Sequence, residues 1–172
     1  FEAFFGAYRQ QIETFAQRMV NCCNHGERAQ QVGGPLPCWS VMTDDCIARG
    51  RDITDGGAVY NYQSVCFLGA ANTADALMAI KTLVFEKKLV SASDMLAALR
   101  ANFNGCEALR QMILNESPKY GNDIAEVDEL ARRVADHFID FMDEMRCAHE
   151  GRYVVHLFSF LMNIPFGRDI GA

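Results

Sequence analysis

No apolar run in the sequence approaches the roughly 20 residues that a membrane-spanning helix requires. The most apolar stretches, around Phe67 and Leu161, are interrupted by polar residues or glycine, so no membrane partner is expected. No basic cluster is present either. The 16 lysines and arginines are dispersed among 22 aspartates and glutamates for a net charge of -6, which gives no footprint for a polyanion and excludes nucleic acid from the expected partners. The seven cysteines (Cys22, Cys23, Cys38, Cys46, Cys66, Cys106 and Cys147) are odd in number and form no C-x-x-C pair. That pattern suits free thiols in a reducing compartment, and a cytoplasmic location follows as the default. Neither G-x-G-x-x-G nor G-x-x-x-x-G-K occurs, which leaves Gly33-Gly34, Gly56-Gly57 and Gly69 as turn residues. Phe1-Glu2-Ala3-Phe4-Phe5 offers no initiator methionine, basic n-region or cleavage site, and the chain is expected to be an internal stretch of a longer protein.

What is present is a hydrophobic half of the residues, enough for a sizeable core. Phe1, Phe4, Phe5, Tyr8, Ile12, Phe15 and Met19 recur at helical spacing, so residues 1–32 read as a helix with an aromatic buried face. Residues 33–57 follow as a loop with a short helix from about Ser40 to Arg49, stopped by Gly50. Ala58 to Leu68 is rich in β-branched and aromatic residues and lies between glycines, which marks a strand. A helix then runs to Lys88, with Asn72 or Thr73 as its cap, so 58–88 forms a βα unit. Helices occupy 91–148. Ser91 with Asp94 and Asp123 with Glu126 have capping-box spacing, and Leu96, Leu99 and Phe103 are expected to face inward on the first of these helices. On the last, Val127, Leu130, Val134, Phe138, Phe141 and Met145 form the apolar stripe, with Asp128–Arg132 and Glu129–Arg133 as outer ion pairs. Residues 153–166 read as a second strand, apolar on both faces, as in a parallel sheet or barrel wall.

Candidate chemistry is sparse. Cys22, Cys23 and His25, with His137, His149 and His156, lack metal-ligand spacing, since adjacent cysteines diverge by about 100° on a helix. No metal site is expected. Asp44, Asp45 and Asp52 read as a solvated face rather than an acid–base pair, Asp45 within the short helix and Asp52 in a turn.

A family resemblance rests on collinear motifs. Pro37 with Ser40, Asp45-Cys46-Ile47, Gly50-Arg51-Asp52 and Gly56-Gly57-Ala58-Val59-Tyr60-Asn61 resemble the C-terminal barrel region of the pyruvate formate-lyase-like glycyl-radical enzymes. Asn72-Thr73-Ala74-Asp75-Ala76-Leu77-Met78-Ala79-Ile80-Lys81 is similar to the family pattern N-x-x-D-S-L-x-A-I-K, with Ala76 in place of the serine. Lys119-Tyr120-Gly121-Asn122-Asp123 is similar to K-Y-G-N-D, and Asn163 to Gly167 with Gly171-Ala172 resembles the strand and turn before P-D-G-R.

The resemblance implies an α/β fold, a partial parallel-strand barrel of the glycyl-radical type that is helix-rich in this stretch. It also implies a lyase, dehydratase, decarboxylase or acyltransferase acting anaerobically on a small organic substrate. In that chemistry an S-adenosylmethionine iron–sulfur activase installs a radical on a glycine, the radical passes to a cysteine, and the thiyl abstracts hydrogen from the substrate. The implied partners are the rest of the barrel, the activating enzyme and the substrate, with a homodimer compatible. The only Arg-Val pair, Arg133-Val134, lacks the glycine of the R-V-x-G loop, and Gly105-Cys106-Glu107 departs from G-C-x-E because Glu107 comes one place early. Cys106 therefore reads as a helix-start residue, no catalytic residue is assigned, and the chain alone is expected to be inactive and to bind no cofactor of its own. The substrate wall is expected from Phe158, Phe160 and Met162 on the last strand and Tyr60 and Tyr62 on the first, an apolar lining suited to a hydrophobic or aryl substrate. A non-catalytic helical scaffold or interaction module derived from the same family is the alternative reading.

Overall fold

The computed structural model describes residues 1–158. Contacts gather the chain into two compact units. Among the described residues, the first holds 1–5, 67–136 and 157–158, and the second holds 6–66 and 137–156. Among the described residues, two strands, β1 (Tyr62–Leu68) and β2 (Arg152–Phe158), pair in a parallel sheet, and the other regular elements are helical.

In the second unit the core is built from Ala16 and Val20 of α1 (Glu2–Gly33), Cys46, Val65, Phe138, Met142, Cys147 and Tyr153. The expected aromatic face of α1 is only partly buried. Phe15 is 61% exposed beneath the Arg18 guanidinium, because its neighbour Ala16 takes the core position one residue on. The single helix expected from Ser40 to Arg49 is two short ones, α2 (Pro37–Val41) and α3 (Cys46–Arg49). Asp45 precedes α3 with φ 71°, a left-handed turn that no continuous helix allows. Gly50 does stop α3: its amide bonds Ile47 O while the Arg51 amide bonds Cys46 O. β1 begins at Tyr62 rather than Ala58 because the carbonyls of Gly57 and Ala58 are taken by Arg49 Nη1, at 3.1 and 3.2 Å. On β2, residues 159–166 of the expected strand lie outside the described residues.

In the first unit, α4 (Ala70–Ile80) starts directly after Gly69, so Asn72 and Thr73 lie inside the helix and do not cap it. It continues as a π-helical segment, Lys81–Glu86, whose wider turn brings Thr82 and Leu83 to the buried side. The Ser91 cap on α5 (Ala92–Arg100) forms as expected, with its Oγ accepting from the Asp94 amide at 3.1 Å. The inward face of α5 is Met95 and Ala98, whereas Leu96 and Leu99 are exposed. The helix ends in a Schellman turn with Asn102 left-handed, the Phe103 amide reaching Ala98 O and the Asn102 amide reaching Leu99 O. α6 (Glu107–Glu116) follows Cys106, and α7 (Ala125–Asp143) follows Asp123. No capping box forms at Asp123, whose φ is 56°, and Glu126 pairs with Lys81 instead. The stripe of α7 is Val127, Leu130 and Val134 in this unit and Phe138 and Met142 in the other, so Met142 replaces the expected Phe141 as the buried residue. The outer ion pairs also differ: Arg132 joins Glu129 at 2.7 Å and Asp136, while Arg133 reaches Glu2 at 2.6 Å and lies over the Phe5 ring.

Candidate functional site

The loop that delivers β1 is organised by one carboxylate. Asp52 accepts from the Thr54 hydroxyl at 2.6 Å, the Thr54 amide at 2.9 Å, the Ser40 hydroxyl at 2.8 Å and the Leu36 amide at 3.1 Å. Ser40 Oγ in turn accepts from the Ile53 amide at 2.9 Å. Thr54, foremost, and then the Leu36 and Ser40 donors hold this carboxyl well below the usual carboxylate range. Asp52 is therefore not the solvated residue its sequence position suggests. Its lone pairs are committed, which makes it a poor base and a strong clamp between Pro35-Leu36-Pro37 and Gly50-Arg51-Asp52. Gly57 lies against this clamp so closely that a Cβ would stand 2.2 Å from Arg51 O.

A second knot ties the starts of the two strands. Asn61 O accepts the Arg152 amide at 3.2 Å, Asn61 Nδ2 donates to Cys147 Sγ at 3.7 Å, and Cys147 N bonds Gly151 O at 3.0 Å. Beside it, Asp55 accepts from Gln31 at 2.6 Å and from Arg51 at 3.3 Å, and the Arg51 guanidinium holds its carboxyl below the usual carboxylate range. The half-buried His149 ring stands with Nδ1 3.8 Å from Asp55 Oδ1. Tyr153 hydrogen-bonds Asn24 Oδ1 of α1 at 2.8 Å, and burial pushes its phenol up to about 12.

The two loops thus place Tyr60 and Tyr62 at the head of β1. Their rings are brought together, stacked with centroids 6.3 Å apart, and are 78% and 56% exposed. Phe158 ends the described part of β2 and is 51% exposed, in the first unit. Phe160 and Met162 lie outside the described residues. Alternation along β1 leaves Tyr62, Ser64, Cys66 and Leu68 exposed while Val65 is buried; along β2, Arg152, Val154 and His156 are exposed while Tyr153 is buried. Ser64, Cys66 and His156 were not assigned from sequence. Period-two alternation from Tyr62 is the signal that places the first two, and the pairing of β2 against β1 adds the third.

In the first unit two motifs meet in space. Asp75 Oδ1 of α4 accepts the Tyr120 amide at 2.7 Å. Lys119 turns back on the end of α6, donating to Ile113 O at 2.9 Å and to Ser117 Oγ at 2.5 Å, and burial lowers its pKa. An ammonium on the last carbonyls of a helix both satisfies them and opposes the helix dipole. Lys119→Ala is expected to destabilise by about 1–2 kcal/mol, read as a lower urea midpoint, with Lys119→Arg partly restoring it. Cys106 stands at the start of α6 as its sequence position suggests, and Glu107 is engaged by Gln111 at 2.7 Å and Arg110 at 3.1 Å. Among the described residues no group of three or more His, Cys, Asp or Glu side chains could hold a metal, and no helix is long and apolar enough to cross a membrane.

Comparison with known proteins gives a consistent set. The family model described as pyruvate formate lyase-like matches residues 1–167. Trans-4-hydroxy-L-proline dehydratase of Clostridioides difficile is 32% identical over all of this chain, which covers 22% of that enzyme. Among solved structures, the glycerol-bound B12-independent glycerol dehydratase of Clostridium butyricum superposes with a TM-score of 0.90 and 34% identity, covering 96% of this chain and 21% of that one. A structure concerned with 1,2-propanediol dehydration in Roseburia inulinivorans gives a TM-score of 0.87 and 38% identity, over 96% of this chain and 22% of that one. The chain thus spans about a fifth of the length of the relatives it matches.

Proposed function

Since the chain belongs to the pyruvate formate lyase-like family of glycyl-radical enzymes, we propose that the polypeptide carrying it is a glycyl-radical dehydratase or closely related lyase. It acts anaerobically on a small organic substrate. The superposition on glycerol dehydratase supports this reading most directly, because it extends over 96% of this chain with a TM-score of 0.90 at 34% identity. Within that protein the present region is barrel wall and part of the substrate pocket, with Tyr60, Tyr62, Phe158, Phe160 and Met162 as wall residues.

The chemistry is redox-neutral. A thiyl radical takes a hydrogen atom from a substrate carbon and becomes a thiol; the carbon radical expels its leaving group, water in a dehydration; the product radical recovers the hydrogen from the thiol. A radical S-adenosylmethionine activase supplies the initial glycyl radical. This chain's part is positional, since its clamped loops hold strand side chains at fixed places around a reacting centre from which water must be kept.

The test is anaerobic treatment of the full-length polypeptide with a competent activase and S-adenosylmethionine. The expected result is the doublet EPR signal of a glycyl radical, followed by loss of water from glycerol, 1,2-propanediol or trans-4-hydroxy-L-proline. The 172-residue chain alone is expected to give no doublet. Absence of the doublet in the full-length protein, with a known enzyme activated in parallel, would replace this reading by the scaffold alternative.

A further inference from the structure

Ahead of β1, in the second unit, the two short helices turn large apolar side chains outward. α2 and α3 pack on each other, and each buries a single side chain, Ser40 in one and Cys46 in the other. Around those two, Trp39, Val41, Met42 and Ile47 are all exposed, Met42 most of all at 76%. Single apolar residues are ordinary on a protein surface, but a cluster that includes tryptophan and methionine has the composition of an interface centre. The backbone beneath it is fixed. Asp52 takes the Leu36 amide and the Ser40 hydroxyl, Ser40 Oγ takes the Ile53 amide, and Thr43 Oγ1 donates to Trp39 O at 2.8 Å. The Trp39 surface is thus preorganised, and a contact made on it has little further ordering to oppose it.

Two carboxylates stand at its edge. The nearby cations are committed, Arg49 to the carbonyls of Gly57 and Ala58 and Arg51 to Asp55. Asp44 and Asp45 are exposed, and among the described residues neither carboxylate has a hydrogen-bond or ion-pair partner. Asp45 adopts the left-handed φ of 71° at the start of α3, yet its side chain does not cap that helix. Backbone strain held without a local hydrogen bond to offset it points to a contact made with something beyond these residues. An apolar surface edged by free carboxylates is complementary to an apolar pocket rimmed by lysine or arginine. A second copy related by a two-fold axis sets this surface against itself, carboxylates included, and supplies no such rim. The chain covers 22% and 21% of the enzymes it matches, so a polypeptide of that kind has most of its length from which to supply one.

We propose that the surface around Trp39 is the seat for another part of the same polypeptide, outside residues 1–172, which meets it with an apolar pocket rimmed by basic side chains. The inference rests on the reading above only in placing this chain within a longer polypeptide, and it adds an internal docking contact to that reading. Trp39 and Met42 fill the pocket, and Asp44 and Asp45 fix its orientation. Neutralising one carboxylate changes little, because an exposed ion pair contributes almost nothing to stability. Reversing both sets like charges face to face.

The test uses the purified full-length protein before activation, with Cys38 as its reporter, because that thiol is exposed next to Trp39 within this chain. Peptide mass spectrometry should show Cys38 reacting with iodoacetamide about tenfold or more slowly than in the denatured protein. Combining Asp44→Lys with Asp45→Lys should remove most of that protection while the buried Cys147 stays unreactive, which shows the second unit still folded; Asp44→Asn alone should keep it. Trp39→p-benzoylphenylalanine, irradiated, should give a cross-linked product of monomer mass on a denaturing gel, joined to a peptide outside residues 1–172. A Cys38 as reactive as in the denatured protein, protection that survives the double charge reversal, or a cross-link confined to residues 1–172 would each overturn the proposal. A product of doubled mass would overturn it in favour of a second copy. None of these readouts needs a radical, so a protein that docks as described yet gives no EPR doublet sinks the proposed function and leaves this contact standing.

Discussion

Replacing Gly151 with alanine is expected to destabilise the protein by about 3 kcal/mol or more, the largest effect of any single methyl addition in the described chain. A Cβ at this position would stand 2.0 Å from Asn61 O, 2.9 Å from the Asn61 carbonyl carbon and 2.7 Å from Cys147 Sγ. Two of these neighbours are backbone atoms, and the same Asn61 carbonyl accepts the Arg152 amide that begins the strand pairing. Relief of the clash must therefore move the start of β1 or β2. Truncating the sulfur with Cys147→Ala should recover little of the loss in the double variant, since the carbonyl remains. Gly26→Ala, in α1 with nothing within 4 Å of the new methyl, serves as the control and should be neutral or stabilising by up to about 1 kcal/mol. Chemical denaturation of the full-length protein reads all three. A Gly151→Ala protein with an unchanged midpoint would show that the two loops do not approach as described.

Asp52→Asn should be the most damaging of the carboxylate-to-amide changes, and its effect should depend on pH. The amide keeps the shape but replaces one acceptor oxygen with a donor, which then faces the Leu36 amide, the Ser40 hydroxyl or the Thr54 donors. Asp52 titrates below its ordinary value because those donors favour the charged form, and Asp55 does so because of Arg51. A depressed folded-state pKa contributes stability that is complete above the unfolded value of about 4 and is lost as pH falls from there through the folded value. The parent protein's thermal midpoint should accordingly fall below about pH 4. The Asp52→Asn midpoint should start lower at pH 7 and decline less steeply on acidification. Asp44→Asn, at an exposed carboxylate, should reproduce the parent at both ends. Equal midpoints for Asp52→Asn and the parent at pH 7 would refute the clamp.

Both predictions come from contacts that sequence reasoning approached without reaching. The motifs Gly50-Arg51-Asp52 and Gly56-Gly57 are plain in the sequence, but whether an aspartate in a turn faces water or four donors depends on what folds over it. Here that partner is the segment from Leu36 to Ser40, more than ten residues earlier. Local signals fared better. The Ser91 cap, the Gly50 stop and the long α7 stripe from Val127 to Phe138 depend on spacing within one helix, and they appear as read. Boundaries failed where a side chain from elsewhere intervened: Arg49 takes the carbonyls that would have opened β1 at Ala58, and Lys81 takes the glutamate that would have completed a capping box at Asp123. Of the two tyrosines of the expected wall, Tyr62 was legible as a strand residue, whereas Tyr60 lies before β1. The register that sets β2 beside β1 was not legible, because a pairing between strands far apart in sequence leaves no mark in either strand.

That separation has a consequence during synthesis. Asn61 waits for Arg152, about ninety residues later, before its carbonyl finds the amide it bonds. At a ribosomal rate of about 5–20 residues per second, roughly five to twenty seconds pass with β1 unpaired along that edge. Tyr62, Val65 and Phe67 emerge as a strand without a neighbour, while α4 to α6 can form from contacts close in sequence. Non-local pairing of this kind is slow and aggregation-exposed. The nascent polypeptide thus spends a vulnerable interval on β1, so yield during expression should respond to chaperone supply and to translation speed between those two points.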